Sequence, residues 1–265
     1  MSLKSKIRKK LIKLLMRSLK REGVSELFIN PYDMLGQQVL EDGIHERGYL
    51  ENLLIYLDHS LGRLRDLSFV DAGANIGNHS IFFSRHFSEG YAFEPMPLAH
   101  KVCEANFLLN RIDNVSLHNL GLDTESRTLP FFQHGGNLGG SGFCRPNDEL
   151  AYLLLECKTV RGDQFLPLLD RCKKIGLVKI DVEGFEANVI DGLSKILQED
   201  SPVVVFESHG TAGVSSIKIL ERLGYSKFLS INKKTRLGFS ERYTIDQVKS
   251  LSKNHMYPMI VASKT

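Results

Sequence analysis

The chain has 265 residues, of which 42% are hydrophobic and 25% are charged, and its formal net charge is +3. This composition is that of an ordinary globular protein, and it argues against a disordered chain. The length suits one α/β domain with extensions. The four cysteines form no C-x-x-C pair and no cluster with histidines at metal-ligand spacing, which predicts reduced thiols, a cytoplasmic location and no structural zinc. They are Cys103, Cys144, Cys157 and Cys172.

The basic charge is concentrated in residues 1–23, which hold nine Lys or Arg and one acid, whereas the rest of the chain has 25 basic and 30 acidic residues. We predict a basic amphipathic helix over residues 1–22. It lies either peripherally on the anionic inner face of a membrane or against its own domain. It is too short and too charged to span a bilayer. A mitochondrial presequence would favour Arg over Lys, and no nucleic-acid partner is expected because no aromatic residues accompany the basic ones. Its apolar residues recur at helical spacing: Leu3, Ile7, Leu11, Leu14 and Leu15.

Residues 23–66 are predicted to form a helical cover, with an irregular stretch to about Gly43 and then a helix from His45 to about Leu61 beside the cofactor entrance. From residue 67 to residue 265, strand and helix patterns alternate. This alternation predicts an α/β fold with a doubly wound, mostly parallel sheet and helices on both faces. Strands are predicted at 68–72, 90–94, 115–120, 176–181 and 202–207, and helices at 78–87, 97–110, 163–172, 185–197 and 213–223. Apolar runs at 227–231 and 256–262 are predicted to complete the sheet as a hairpin-like, antiparallel pair.

An insertion interrupts this alternation at about residues 124–160. Two strand-like runs, at 128–133 and 153–160, flank a glycine-rich segment at 135–142. Glycine adopts backbone angles that are closed to other residues. The insertion is therefore predicted to be a hairpin, whose tip is either a substrate lid or merely a mobile turn.

A glycine loop follows the first predicted strand of the sheet. Asp71 ends the apolar run, Gly73 and Gly77 follow four residues apart, and a helical pattern then begins. A phosphate-binding P-loop needs Lys and then Ser or Thr directly after the second glycine, where this chain has Asn78-His79. The spacing therefore argues against a P-loop.

The same loop discriminates between two kinds of nucleotide cofactor. Asn75 stands where a dinucleotide site has the central glycine that lets the backbone approach a pyrophosphate, so an NAD site is disfavoured. Glu94 ends the next predicted strand, 17 residues after Gly77, where its carboxylate can accept both hydroxyls of a ribose. The combination suits S-adenosylmethionine. The alternative is a glycine turn that binds no ligand.

A second polar group is predicted at the same edge of the sheet. Asp181 ends a buried strand and Glu183 follows it, while Glu207 ends the next strand and His209 lies two residues further on. Because parallel strands end at one edge, these four side chains are expected to gather around a reacting group. His209 is the first candidate to accept a proton from a hydroxyl, and Asp181 is the second.

Each of these residues also has another interpretation. His209 can be an ordinary loop histidine, and Asp181 can bond the ammonium group of the cofactor. Glu183 and Glu186 can stabilise the first turn of the following helix, where negative charge is favourable. Asp181, Glu183, Glu207 and His209 can also surround a divalent ion that polarises a hydroxyl, although we predict no metal.

Four segments of the chain, in this order, resemble the FkbM methyltransferase family. The resemblance covers residues 67–210 and leaves the first 66 residues outside it. It departs from the family at Arg161-Gly162-Asp163, where relatives tend to carry a Leu-Asp pair. The segments are Val70 to Gly77, Phe93-Glu94-Pro95, Lys179 to Glu186, and Phe206-Glu207.

The resemblance implies a Rossmann-like class I methyltransferase that uses S-adenosyl-L-methionine to methylate a hydroxyl of a saccharide, a glycolipid or a related natural product. Alternatives are a membrane-docked module that binds the cofactor without turnover and, less favoured, an NAD-dependent oxidoreductase. A nucleic-acid base methyltransferase is disfavoured because Asp181-Val182-Glu183-Gly184 lacks the usual Pro-Pro and aromatic residue. The implied cofactor residues are Asp71, Gly73, Asn75 and Gly77 for the methionine part, Glu94 for the ribose, and Asn119 near the adenine.

Overall fold

A computed structural model of the chain describes residues 3–19, 26–146, 152–169, 173–208, 210–236, 240–248 and 257–264. The helices are α1 (Leu3–Leu19), α2 (Met34–Asp42), α3 (Arg47–Leu61), α4 (Asn78–Ser84), α5 (Pro97–Leu109), α6 (Gly162–Phe165), α7 (Glu186–Gly192), α8 (Ser194–Glu199) and α9 (Gly210–Arg222). The strands are β1 (Leu67–Ala72), β2 (Glu89–Phe93), β3 (Val115–His118), β4 (Gly121–Asp123), β5 (Arg127–His134), β6 (Tyr152–Arg161), β7 (Lys174–Ile180), β8 (Val203–Ser208), β9 (Lys227–Arg236), β10 (Ser240–Gln247) and β11 (Tyr257–Ser263). None of the helices in these ranges is both long enough and apolar enough to cross a membrane.

The main sheet has the strand order β3-β2-β1-β7-β8-β11-β9-β10. Neighbours from β3 to β8 are parallel, whereas β11 is antiparallel to both β8 and β9, and β10 is antiparallel to β9. The direction of sheet growth reverses at β1, which lies between β2 and β7. In such sheets a crevice opens beyond the carboxyl ends of the strands at the reversal. The predicted α/β, doubly wound, mostly parallel fold is confirmed, and so is the antiparallel pairing of the last two predicted strands.

The core lies on both faces of this sheet, because successive side chains of a strand point to opposite sides. On β1, Val70 and Ala72 belong to one cluster with Val189 of α7, while Phe69 belongs to the other cluster with Leu53 of α3. All five are at most 1% exposed. Burial of each large apolar side chain stabilises the fold by roughly 1.5–3 kcal/mol.

Helix α3 packs on the sheet through a narrow apolar stripe. Leu50, Leu53 and Leu57 are buried at spacings of three and four residues, as expected for one face of a helix. Because this stripe anchors the helix, the two residues just before it, His45 and Glu46, are held at the edge of the crevice.

The two strands predicted in the insertion, β5 and β6, form a second sheet together with β4, which was not predicted; its order is β4-β6-β5. Met96, from the loop after β2, packs with Phe131 of β5 and Cys157 of β6 in a small separate core. The glycine-rich segment folds back on β5, where the backbones of Phe132 and Gly142 exchange two hydrogen bonds of 2.8 and 3.2 Å. This sheet therefore forms one wall of the crevice.

Three helices differ from the sequence prediction. The helix predicted at 163–172 is shorter, because α6 ends at Phe165 and a single 3-10 turn, Leu166–Leu168, follows it. Helix α2 lies within the stretch predicted to be irregular; Asp33 caps its start by accepting a hydrogen bond of 2.6 Å from the Gly36 N–H, and Gly43 ends it at φ 78°. The helix predicted at 185–197 is divided at Leu193 into α7 and α8. Gly192 packs against β4 there, since a Cβ would lie 2.0 Å from the Asp123 carbonyl oxygen.

Strand β10 was not predicted at all. Its residues pair with β9 along the whole strand, from Ser240 opposite Arg236 to Gln247 opposite Leu229. The segment has no apolar run or strict alternation, because β10 is the edge of the sheet and much of its described surface is exposed. β10 is therefore a strand because it pairs with β9, and the sequence pattern of the segment does not predict it.

Candidate active site

A cavity of about 820 Å³ opens beyond the carboxyl ends of the central parallel strands. One side is formed by the glycine loop, the end of β2 and the inserted sheet. The other side is formed by α2, the start of α3 and the segments after β7 and β8. This is the position at which open α/β sheets bind their ligands.

The glycine loop reaches the cavity because three of its residues adopt left-handed backbone angles. Gly73 has φ 79°, Asn75 has φ 50° and Gly77 has φ 87°. At Gly73 a side chain is excluded, since a Cβ would lie 1.8 Å from the carbonyl oxygen of Asp181. The N–H groups of Gly73 and Ala74 both donate to the Phe93 carbonyl oxygen, at 2.9 and 3.0 Å. The loop is therefore fastened between β2 and the segment after β7.

Glu94 lies at the base of the loop with both carboxylate oxygens already engaged. The Asn75 N–H donates to Oε2 at 2.7 Å, and the Met96 N–H donates to Oε1 at 2.8 Å. The side chain lines the cavity but is only 5% exposed. Burial raises the pKa of Glu94 to about 7, although the two backbone N–H bonds oppose the shift. Each oxygen keeps a lone pair for a further hydroxyl donor.

Asp71 does not line the cavity, but it contacts Lys179, which does. Its carboxylate is completely buried, accepts a hydrogen bond of 2.5 Å from Ser80 Oγ, and lies 3.0 Å from Nζ of Lys179. Lys179 Nζ also donates to the Gly73 carbonyl oxygen at 3.0 Å and lies 3.5 Å from Asp181. Burial alone would lower the pKa of Lys179, but the two carboxylates outweigh it and raise that pKa. Lys179 therefore stays charged and connects Asp71 to the cavity.

Gly77 and Asn119 also lie outside the cavity lining. Gly77 begins α4 and packs against Cys103 and Phe107, where a Cβ would lie 2.8 Å from the cysteine sulfur. The side-chain amide of Asn119 donates to the backbone carbonyl oxygens of Glu94 and Pro95, at 2.9 and 3.0 Å. In this arrangement Asn119 holds the backbone after β2 in place.

Three predicted carboxylates do meet in the cavity, where β7 and β8 end. Asp181, Glu183 and Glu207 each present an oxygen within 4.8 Å of the others, a separation at which they could hold a metal ion. Burial, together with Asp181 and Glu46, raises the pKa of Glu207 to about 8, against the opposing effect of Lys179. The repulsion among these carboxylates is therefore relieved either by a proton or by a cation bound between them.

His209 and Glu186 are the remaining residues predicted at this edge of the sheet. His209 lies outside the described residues, so its role stays a prediction. Glu186 is 3% exposed and accepts a hydrogen bond of 2.9 Å from the Gly184 N–H at the start of α7. This contact fixes the turn at Gly184 that leads into α7.

Among the wall residues to which the sequence gave no role, four interact with the predicted carboxylates or with one another: Lys179, His45, Glu46 and His79. His79 follows the glycine loop directly, and Lys179 begins the segment Lys179 to Glu186. Their positions could therefore have been predicted from the two motifs. His45 and Glu46 come from the N-terminal cover, and no local pattern distinguishes them.

Comparison with known proteins gives a consistent result. The model of the methyltransferase FkbM domain family matches residues 71–227. "Methyltransferase 1" of Beauveria bassiana (strain ARSEF 2860) is 30% identical over 146 residues, which cover 48% of this chain and 59% of that protein. "Methyltransferase sdnD" of Sordaria araneosa is 29% identical over 194 residues, with 60% of this chain and 74% of that protein covered. The chain thus spans less than two thirds of the first of these relatives.

Two solved structures are similar at lower identity. The FkbM methyltransferase of Methylobacillus flagellatus KT has a TM-score of 0.47 at 15% identity, covering 96% of this chain and 59% of that one. The magnesium protoporphyrin IX methyltransferase of Synechocystis PCC 6803, solved with bound S-adenosylmethionine, also has a TM-score of 0.47, at 10% identity, covering 95% and 90%. Because the family model matches more than half of the chain, this protein belongs to the FkbM family of S-adenosylmethionine-dependent methyltransferases.

Proposed function

We propose that this protein is an O-methyltransferase that acts on a hydroxyl of a saccharide, a glycolipid or a related natural product. One observation carries the proposal: a single cavity contains two groups of residues. The glycine loop and the buried Glu94 carboxylate form one end, and a cluster of carboxylates and imidazoles forms the other. The first end suits a nucleoside cofactor, and the second suits removal of a proton from a hydroxyl.

The residues of the first end fit S-adenosylmethionine. Because Gly73 has no side chain, the loop packs directly against the Asp181 backbone, which brings the loop and Asp181 together where the methionine part would lie. Glu94 offers its remaining lone pairs to the ribose hydroxyls. Asp181, which is 39% exposed, either bonds the ammonium group or faces the acceptor. The roles of Asp71 and Gly77 are indirect: Asp71 fixes Lys179, and Gly77 fixes the turn into α4.

When bound, the cofactor supplies an electrophilic methyl group on a sulfonium. The protein must align the acceptor oxygen with that group and exclude water, because a displacement of this kind depends on geometry. The inserted sheet serves this purpose, since Leu138, Gly142 and Phe143 cover one side of the cavity. Phe143 is braced by ring contacts to Phe131 at 5.0 Å and Phe185 at 5.1 Å. We propose that the glycine-rich segment is a lid over the acceptor.

Calorimetric titration of the full chain with S-adenosylmethionine tests the first part of the proposal, with NAD as a second ligand. We expect saturable binding of S-adenosylmethionine only, with weaker binding to Glu94→Ala. Glu104→Ala is the matched control, because Glu104 is an exposed carboxylate on α5 that pairs with Lys101 away from the cavity. Preference for NAD would overturn the interpretation of the glycine loop.

Formation of S-adenosylhomocysteine tests the second part. The protein is incubated with a panel of methyl glycosides and hydroxylated lipids, and an acceptor-dependent rate identifies the substrate class. If the cofactor binds but no member of the panel raises the rate, the competing proposal gains support, in which the protein is an interaction module that binds the cofactor without turnover.

We also propose that α1 holds the protein on the cytoplasmic, anionic face of a membrane, near glycolipid acceptors. Ile7, Leu11 and Leu14 lie on one side of α1 and are each at least half exposed. The exposed basic residues Lys6 and Lys10 flank them. Such a helix binds by burying its apolar side at the headgroup level while its cations meet anionic lipid.

Flotation with vesicles of phosphatidylserine and phosphatidylcholine tests this second proposal. Deletion of residues 1–22 is expected to abolish binding. A full-length variant with Ile7, Leu11 and Leu14 changed to Ser keeps the charge and is expected to bind weakly. Equal binding by the deletion variant would show that the helix is not the anchor.

A further inference from the structure

A second cavity, of about 390 Å³, adjoins the first one. Its volume lies within the range of small-molecule sites, about 300–1,000 Å³. Several residues line both cavities, so the two meet along a common boundary. The boundary residues are Asn75 and Ile76 from the glycine loop, Leu35 from α2, and Leu138 and Gly139 from the glycine-rich segment.

The walls of the second cavity are mainly apolar. Half of the described residues that line it are Phe, Ile, Leu or Val, and three others are glycines. Its polar side chains are those of Asn30, Asp33, Asn75 and Gln133. The side-chain oxygens of Asn30 and Asp33 already accept backbone N–H groups, at 3.1 and 2.6 Å. No Lys or Arg is among the described residues of the lining. The cavity therefore suits a hydrocarbon better than a phosphate or a saccharide.

Hydrogen bonds fix the walls of the second cavity. Asn106 of α5 is completely buried, and its side-chain oxygen accepts from the Phe28 N–H at 2.6 Å. Its amide group donates to the carbonyl oxygens of Phe28 and Ile76, at 3.3 and 2.8 Å. On the glycine-rich side, Nδ1 of His134 accepts from two successive backbone N–H groups, at 3.0 and 2.9 Å. The cavity is therefore a defined part of the fold.

Large apolar side chains are exposed at the rims of the two cavities. Phe28 and Leu98 line the second cavity and are 58% and 50% exposed, and Met34 lines the first and is 64% exposed. Exposed apolar patches mark interaction sites and ligand-binding grooves. Helix α2, which begins at Met34, contacts α1, the helix proposed above to lie on a membrane. The apolar rim therefore adjoins that helix.

We propose that the second cavity binds a hydrocarbon chain of the acceptor, so that the substrate is an amphiphile. Its reacting hydroxyl lies in the first cavity, and its chain crosses the boundary between the glycine loop and the glycine-rich segment. The proposal rests on the function proposed above and selects, among the acceptors named there, a glycolipid over a free saccharide. The cofactor is not expected in the second cavity, because Gly73 and Glu94 line the first cavity only.

Calorimetric titration of the full chain with methyl, butyl, hexyl and octyl glucosides tests the proposal without turnover. S-adenosylhomocysteine is present in excess, and each glucoside is kept below the concentration at which it forms micelles. Because removal of each methylene group from water favours binding, affinity should rise about fourfold per methylene until the chain fills the cavity. Equal affinities across the series, or no binding of the octyl glucoside, would overturn the proposal.

Two double variants localise the effect. Phe28→Gln with Leu98→Gln places polar groups in the wall at exposed positions, so the fold should be retained. Its affinity for octyl glucoside should fall by about tenfold or more, and the dependence on chain length should weaken. The matched control is Leu108→Gln with Leu109→Gln, because these exposed residues of α5 line neither cavity. The control should bind like the wild-type protein, and equal affinities for the two double variants would contradict the proposal.

Cofactor binding and turnover separate this inference from the proposed function. The variant with Phe28→Gln and Leu98→Gln should bind S-adenosylmethionine as the wild-type protein does, and a loss would show that the second cavity serves the cofactor instead. If methyl glucoside is methylated with the same kcat/KM as octyl glucoside, the methyltransferase function stands and the hydrocarbon site fails. If affinity rises with chain length but no acceptor is methylated, the hydrocarbon site stands and the proposed function fails.

Discussion

The two ends of the cavity are built in different ways. The cofactor end comes from two short segments, residues 71–77 and 93–96, in which backbone N–H groups donate to the Phe93 carbonyl oxygen and to the Glu94 carboxylate. The acceptor end is assembled from residues 45–46, 79, 181–183 and 207, which meet only in the folded chain. The cofactor end is therefore constrained by steric limits on the backbone, and the acceptor end by long-range packing and charge. Substitutions should affect the two ends differently.

The largest expected effect is at the cofactor end. Gly73→Ala places a methyl group 1.8 Å from the Asp181 carbonyl oxygen, in a residue at φ 79°. Strain and overlap with the backbone together should lower the free energy of unfolding by roughly 4–6 kcal/mol and abolish cofactor binding. Urea denaturation and calorimetry measure the two effects.

Gly62→Ala is the matched control for this prediction. Gly62 has a similar φ of 73°, but nothing lies within 4 Å of the added methyl group. The loss should be about 1 kcal/mol, from backbone strain alone. Equal losses for the two variants would mean that the contact between the loop and Asp181 is unimportant.

The next effect concerns the residue that joins the two ends. Lys179→Met keeps the length of the side chain but leaves Asp71 buried without its cation. Breaking a buried ion pair in this way typically destabilises a protein by about 3–5 kcal/mol. Lys174→Met, at an exposed position of the same strand, should change the free energy of unfolding by less than about 0.5 kcal/mol. Similar denaturation midpoints for the two variants would contradict the central role of Lys179.

A smaller effect is expected in the pH dependence of cofactor binding. The pKa of Glu94 in the folded protein is about 7, raised from 4.5. The ribose hydroxyls donate to the ionised form, so affinity for S-adenosylmethionine should rise as pH increases through 7 and fall up to tenfold per unit below it. Glu94→Gln should weaken binding by roughly 10- to 100-fold, as expected for loss of a hydrogen bond to a charged group, and remove this dependence. A pH-independent affinity for the wild-type protein would contradict the role of Glu94.

The raised pKa of Glu94 also makes the stability of the ligand-free protein depend on pH. Between about pH 4.5 and pH 7 the folded chain retains a proton on Glu94 that the unfolded chain has released. The contribution of Glu94 to stability is therefore complete below pH 4.5 and is lost as pH rises through 7. Urea denaturation across this window should show a steeper decline in the wild-type protein than in Glu94→Gln.

The smallest expected effect is that of a chelator at the acceptor end. Lys179 already lies 3.5 Å from Asp181, and the raised pKa of Glu207, about 8, lets a proton relieve the repulsion among the carboxylates. Methyl transfer should therefore be unchanged after treatment with EDTA. A loss that Mg²⁺ restores would show that Asp181, Glu183 and Glu207 hold a metal ion.

The sequence predicted the position of a residue best where that position depends on local structure. Gly73 and Asn75 occupy the cavity wall as expected, because the strand–loop–helix pattern dictates their backbone angles. Glu94 reaches the same wall because it ends the neighbouring parallel strand. Asp71 shows the limit of this reasoning. The motif predicted where Asp71 lies along the chain, but it did not predict that Lys179 and Ser80 bind its carboxylate and bury it.

The acceptor end could be predicted only in part. Asp181, Glu183 and Glu207 meet as expected, since their strands end at one edge of the sheet. His45 and Glu46 gave no signal, because their position depends on how the leucine stripe of α3 packs against the sheet. His209, the first candidate for the base, lies outside the described residues.

By itself the sequence determined the alternation of strands and helices, the glycine loop and the motifs of the FkbM family, because hydrophobic period and glycine geometry act over a few residues. Only the tertiary structure decided that Lys179 bridges Asp71 and Asp181, that Asn119 supports the backbone, and that His45 faces the acceptor end. Burial and most of these contacts depend on neighbours from other strands and helices, which only the packed fold brings together.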